Sequence, residues 1–189
     1  HADIFADLAA IETQFHHLVR TMPAQGLIVA NGREDSLRRV LARGCWTPVE
    51  FFDIAEGWQA HDADADADAF AVSLAGRPVG EASFVLPGDH NRANALAALA
   101  AARHAGVPVE VGLKALASFK GVKRRLEVRG TVRGVTVVDD FAHHPTAIAV
   151  TLAEMGRKLG GGRILAVLEP RSNTMKLGTM KAQLPASLA

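Results

Sequence analysis

The run GLIVAN (26–31) is apolar, bounded by turn formers and followed at once by EDSLRRVLARG (34–44), a helical stretch that closes at Gly44. Strand passing directly into helix is how a parallel layer is built, because parallel neighbours need a crossover between them. An α/β fold follows, and the rest of the chain supports it. DIFADLAAIETQFHHLVR (3–20) places Ile4, Phe5, Leu8, Ile11, Phe15, Leu18 and Val19 at helical spacing, which predicts an amphipathic helix. VEFFDI (49–54), DAFAVSLAG (68–76) and RPVGEASFVL (77–86) read as strands, the last two as a hairpin turning near Gly76. HNRANALAALAAARHAG (90–106) and VEVGLKALASF (109–119) read as helices.

After KGVKRR (120–125) the texture changes to LEVRGTVRGVTVVDD, two expected strands, then a helix from Pro145 to Leu159 and a strand RILAVLE (163–169). The basic, glycine-containing segment marks the expected domain boundary, giving units 1–120 and 121–189.

Several function classes are disfavoured. Lys plus Arg (21) nearly balances Asp plus Glu (20), so no broad positive field gathers nucleic acid or anionic lipid, and an anionic ligand must be held locally. Cys45 is the only cysteine, which rules out an intrachain disulfide or a four-cysteine zinc site and fits a reducing cytoplasm. The longest apolar run, ALAALAAA (95–102), falls far short of the roughly 20 residues a spanning helix needs, so no membrane partner is expected. The chain opens at His1 without a methionine and is expected to be a fragment.

Four polar clusters stand where strands end or helices begin. In VVDDFAHHPTA (137–147), Asp139 and Asp140 fall at the carboxyl end of a strand, where ligands of open α/β sheets gather. Pro145 suits a first helical turn, so Asp140 and Thr146 can equally be helix-start residues, and His143 and His144 leave the two readings balanced. In PGDHNRANALAA (87–98), Asn91 and Asn94 share a helix face near its start, and an amide offers the donor and acceptor that an adenine edge requires. A capped helix with one satisfied asparagine explains the same residues. In GVKRRLEV (121–128), Arg124 and Arg125 would point opposite ways on a strand, one of them toward phosphate, or form a plain basic linker. In LEPRSNTMKLG (168–178), Arg171 can clamp a carboxylate while Ser172 and Asn173 donate, or the segment is an ordinary loop. The alternating carboxylates of DADADADA (62–69) suggest an oxygen-ligand metal site but lack a turn glycine, which favours a solvated loop.

The order and wording of these clusters are more specific than any one of them. HADIFADL, GDHNRANALAALAAA, FKGVKRRLEV, VVDDFAHHPTA and LEPRSNTMK together resemble the Mur ligases that build bacterial cell-wall precursors, above all the branch that acts in wall recycling. The resemblance implies that residues 1–120 are the latter part of a central ATP-binding domain and 121–189 the first part of a Rossmann-like C-terminal ligase domain. It implies ATP and Mg2+ as cofactors. UDP-N-acetylmuramate and a murein tripeptide are the implied small-molecule substrates, joined through an acyl phosphate. It assigns Asn91, Asn94, Arg125 and Asp140 to ATP, with Asn94 at adenine, Arg125 at the phosphates or at the domain crevice, and Asp140 at the ribose. It places His1 at a magnesium ion, and His143, His144, Arg171, Ser172 and Asn173 at the substrate. No GxxxxGK[ST] phosphate loop occurs in the chain, so the fragment is expected to be inactive alone and to expose sheet edges.

Overall fold

The structure is a computed structural model that describes residues 4–62, 69–84, 86, 88–170, 173–178 and 180–188. His1, Arg171, Ser172 and most of the acidic repeat lie outside the described residues. The chain divides into two compact units, Leu8–Lys120 and Gly121–Ala189 with His1–Asp7.

The Leu8–Lys120 unit runs α1 (Leu8–Thr21), β1 (Ile28–Asn31), α2 (Asp35–Ala42), β2 (Val49–Phe52), β3 (Trp58–Asp62), β4 (Ala69–Leu74), β5 (Arg77–Ser83), α3 (Asp89–His104) and α4 (Val109–Ser118). The five strands form one mixed sheet in sequence order. β1 and β2 are parallel, with Ile28 opposite Val49, and β3, β4 and β5 are antiparallel. The β4–β5 hairpin turns on Ala75 and Gly76, both at positive φ (49° and 73°), the paired left-handed turn whose twist matches the strands.

β3 has no counterpart in the sequence reading. It follows β2 after five residues and meets it through a single parallel bridge, Phe52 to Trp58. Gly57 makes that short step possible, because a Cβ there would lie 2.1 Å from the Phe51 carbonyl oxygen. Trp58, Phe70, Val72, Ala82 and Phe84 from the sheet pack with Ala95, Leu96, Leu99 and Ala100 of α3 and Leu113 of α4 to form the core. The alanines let helix backbone approach the sheet closely. Between α1 and α2 the Glu12 carboxylate, 6% exposed, takes Arg39 at 2.5 Å and Arg43 at 3.3 Å. β1 stands at one edge of the sheet and β5 at the other.

The Gly121–Ala189 unit contains the hairpin β6 (Glu127–Val132) and β7 (Val135–Asp139), then α5 (Pro145–Leu159), α6 (Asn173–Lys176) and a final 3-10 turn, Pro185–Leu188. One expectation fails here. RILAVLE has no regular secondary structure and pairs with no strand among the described residues, and its Leu165 and Val167 are 79% and 91% exposed. A strand needs a ladder partner as well as β-branched residues. Residues 123–126 form a turn, so of the two readings left open for GVKRRLEV the strand is the one not seen.

Candidate functional site

In the Leu8–Lys120 unit, polar groups gather where β1 and β2 end and α3 begins. Beyond β1, the Asn31 Oδ1 accepts the Arg33 N–H at 2.9 Å, and Arg33 Nε donates to the Asp53 carbonyl at 2.9 Å. Asp53, just past β2, has a left-handed backbone (φ 62°). Burial pushes its carboxyl above the ordinary value and nearby Asp89 adds to this, while Arg33 opposes it. Asp89 opens α3, so the strand ends and the helix start face one another. Gly88 precedes that helix at φ 93°, with no side chain capping it. Asn91 is half-buried and Asn94 is exposed on the same face. Arg92 turns away, paired with Asp62 at 2.6 Å and stacked over Phe70. Sequence reasoning missed Asp53 and Arg33, because VEFFDI read as strand through residue 54 and hid the turn.

In the Gly121–Ala189 unit the two aspartates are both engaged. Asp139 meets the Arg124 guanidinium at 3.4 Å. Asp140 accepts the Leu126 N–H at 2.9 Å and the Ala142 N–H at 2.7 Å, one on each oxygen. Each carboxylate oxygen can accept a second bond, so Asp140 keeps capacity for a ligand hydroxyl. Arg125 is exposed, and its guanidinium has no partner among the described residues. His143 Nδ1 lies 2.9 Å from the Phe141 carbonyl, which can only accept, so Nδ1 carries the proton.

The helix cap is His144, not Asp140 or Thr146: its Nδ1 accepts the Thr146 N–H at 3.3 Å, with Pro145 in the first turn. His144→Ala is therefore expected to lower stability by about 1 kcal/mol, with His144→Asn retaining most of it, as read from the urea midpoint. The Glu127 carboxyl is held below its ordinary value first by the Arg124 N–H, against a desolvation penalty, and further by Arg129. A lowered folded value means stabilisation that is complete above the unfolded value of about 4.3 and is lost as pH falls through the folded one. An NMR titration of the Glu127 carboxyl carbon is expected to show a midpoint below about 4.3.

Asn173 begins α6. Among the described residues no group of three or more His, Cys, Asp or Glu is arranged to hold a metal ion, and no helix is long and apolar enough to cross a membrane.

Polar side chains at the carboxyl ends of parallel strands, beside a helix start, are the signature of a ligand-binding α/β protein. Two family models divide the chain: the Mur ligase middle domain matches residues 1–102, and the glutamate ligase domain of Mur ligases matches 124–187. The chain belongs to the Mur ligase family. It is 52% identical over all 189 residues to the UDP-N-acetylmuramate–L-alanyl-γ-D-glutamyl-meso-2,6-diaminoheptandioate ligase of Haemophilus influenzae, covering 42% of that protein. Identity falls to 36% over 173 residues, 90% of this chain and 38% of the relative, for the UDP-N-acetylmuramate–L-alanine ligase of Oleidesulfovibrio alaskensis. The crystal structure of a murein peptide ligase from Psychrobacter arcticus superposes with a TM-score of 0.73 at 44% identity, covering 97% of this chain and 39% of that one. The chain thus spans about two fifths of the length of these relatives.

Proposed function

We propose that this chain is part of a cytoplasmic, ATP-dependent amide ligase that joins UDP-N-acetylmuramate to the tripeptide L-alanyl-γ-D-glutamyl-meso-diaminopimelate in peptidoglycan recycling. The observation that carries the reading is the 52% identity along the whole chain to a ligase named for that tripeptide, against 36% to one named for L-alanine. The de novo alanine-adding activity is the nearest rival.

Each unit carries groups whose chemistry suits one part of a nucleotide. Asn94 offers an exposed carboxamide, donor and acceptor together, for the adenine edge, and Asn91 supports the same helix face. The unpartnered Arg125 guanidinium is assigned to phosphate oxygens, which a planar fork binds in bidentate fashion. The spare lone pairs of Asp140 are assigned to the ribose hydroxyls. ATP would supply activation: the sugar carboxylate would take the γ-phosphoryl group with ADP leaving, and the peptide amine would then attack the acyl carbon and expel phosphate. Arg125 would neutralise charge on the oxygens around the transferred group. His143, with Nδ1 committed to the Phe141 carbonyl, keeps Nε2 as an acceptor for substrate, and His144 orients the helix beside it. Arg171, Ser172 and Asn173 are assigned to the peptide, and His1 to magnesium. ADP release by the full-length protein tests the proposal. Sustained release over many turnovers should require UDP-N-acetylmuramate and tripeptide together, and sustained release lacking either one would overturn it.

A further inference from the structure

Arg125 lies between two residues, Arg124 and Leu126, whose backbones are left-handed (φ 60° and 47°). Such a backbone is strained for a residue with a side chain and persists only where its surroundings hold it. Here the hold is visible. The Arg124 N–H donates to Glu127 Oε2 at 2.9 Å, and the Leu126 N–H donates to Asp140 Oδ2 at 2.9 Å. Arg125's own N–H reaches the Val122 carbonyl at 3.1 Å, and the Arg124 carbonyl accepts the Phe141 N–H at 2.9 Å. The Arg124 side chain is fixed as well, 5.0 Å above the Phe141 ring. Every backbone donor from 124 through 126 is used, and the exposed Arg125 guanidinium has no partner among the described residues.

We infer that Glu127 is a positioning residue for Arg125: by accepting the Arg124 N–H, its carboxylate holds the left-handed turn that presents the Arg125 guanidinium. The functional consequence rests on the proposed role of Arg125 at the nucleotide phosphates. Glu127 also pairs with Arg129 at 2.8 Å, but through the other oxygen, Oε1. That pair is exposed, and such pairs contribute little. The two roles can therefore be separated. Glu127→Gln keeps a carbonyl acceptor for the Arg124 N–H and loses the charge, Glu127→Ala loses both, and Arg129→Ala removes only the ion pair.

Two measurements test the inference. Amide hydrogen exchange of Arg124, followed in the full-length protein by mass spectrometry with residue-level fragmentation, should quicken about tenfold or more in Glu127→Ala and stay near wild type in Glu127→Gln and Arg129→Ala. Isothermal titration of Mg-ATP into the full-length protein should show at least about a fivefold weaker Kd for Glu127→Ala, with Glu127→Gln and Arg129→Ala within about twofold of wild type. Unchanged Arg124 exchange in Glu127→Ala would overturn the inference, as would Glu127→Gln behaving like the alanine variant. If Glu127→Ala fails to fold, Glu127→Gln still keeps the inference falsifiable, since quickened Arg124 exchange in that variant would overturn it. An unchanged Kd in Arg125→Ala would instead remove the nucleotide role of Arg125. In that event the exchange data would still uphold or overturn the hold of Glu127 on the turn.

Discussion

Trp58→Ala is expected to destabilise the Leu8–Lys120 unit by about 3–5 kcal/mol, enough to leave a marginally stable domain largely unfolded. Trp58 is fully buried among Phe70, Val72 and Leu96, so truncation opens a large cavity between sheet and α3. It also removes a polar anchor. The indole N–H donates to Glu50 Oε2 at 2.9 Å, the other oxygen of Glu50 pairs with Arg103, and the Arg103 guanidinium lies 5.8 Å from the Trp58 ring centre. One residue thus ties β2, β3 and α3 together. Trp58→Phe fills most of the space and loses the hydrogen bond, for a cost of about 1–2 kcal/mol beyond the smaller ring's lost packing. Urea unfolding followed by far-ultraviolet circular dichroism separates the two variants. A midpoint for Trp58→Ala equal to wild type would mean that this tryptophan does not organise the core.

The second large effect is on activity. Arg125→Ala in the full-length protein is expected to lower kcat/KM on the order of a hundredfold, about 2.7 kcal/mol of transition-state stabilisation. The side chain is exposed and makes no contact that the fold needs, so thermal unfolding should be unchanged. Arg125→Lys keeps the charge and loses the planar fork, and should recover only part of the rate. Initial rates of ADP release across ATP concentrations give the comparison. Full activity in Arg125→Ala would take phosphate contact away from this residue.

How far the sequence carried depends on whether a signal is local. α5 spans Pro145–Leu159 as read, because Pro145 marks its start and Gly160 its left-handed end. The β4–β5 hairpin was legible from Gly76, whose turn geometry is a property of two residues. β3 was not legible. WQAHD mixes polar and apolar residues, and what makes it a strand is its place between β2 and β4, which Gly57 permits by its lack of a side chain. RILAVLE failed in the opposite sense, having strand composition without a partner strand among the described residues.

The candidate site divides in the same way. Asn91, Asn94 and Asp140 stand where motif reading put them, at a helix start and a strand end. What no spacing rule could supply is the engagement of Asp140 with the Leu126 and Ala142 amides, since residue 126 and residue 140 meet only after β6 and β7 pair. The same pairing brings Arg124 to Asp139 and leaves Arg125 free, a choice between neighbours that the pair RR does not encode. The cap on α5 was not legible because histidine is an uncommon cap, and only the geometry shows its Nδ1 accepting the Thr146 N–H.

The most direct measurement of the central claim is mass spectrometry of the products made by the full-length protein from UDP-N-acetylmuramate, ATP and magnesium, with L-alanine and the tripeptide offered in competition. The account predicts UDP-N-acetylmuramoyl-tripeptide as the product. A product carrying L-alanine alone, or no ATP-dependent product, would contradict it.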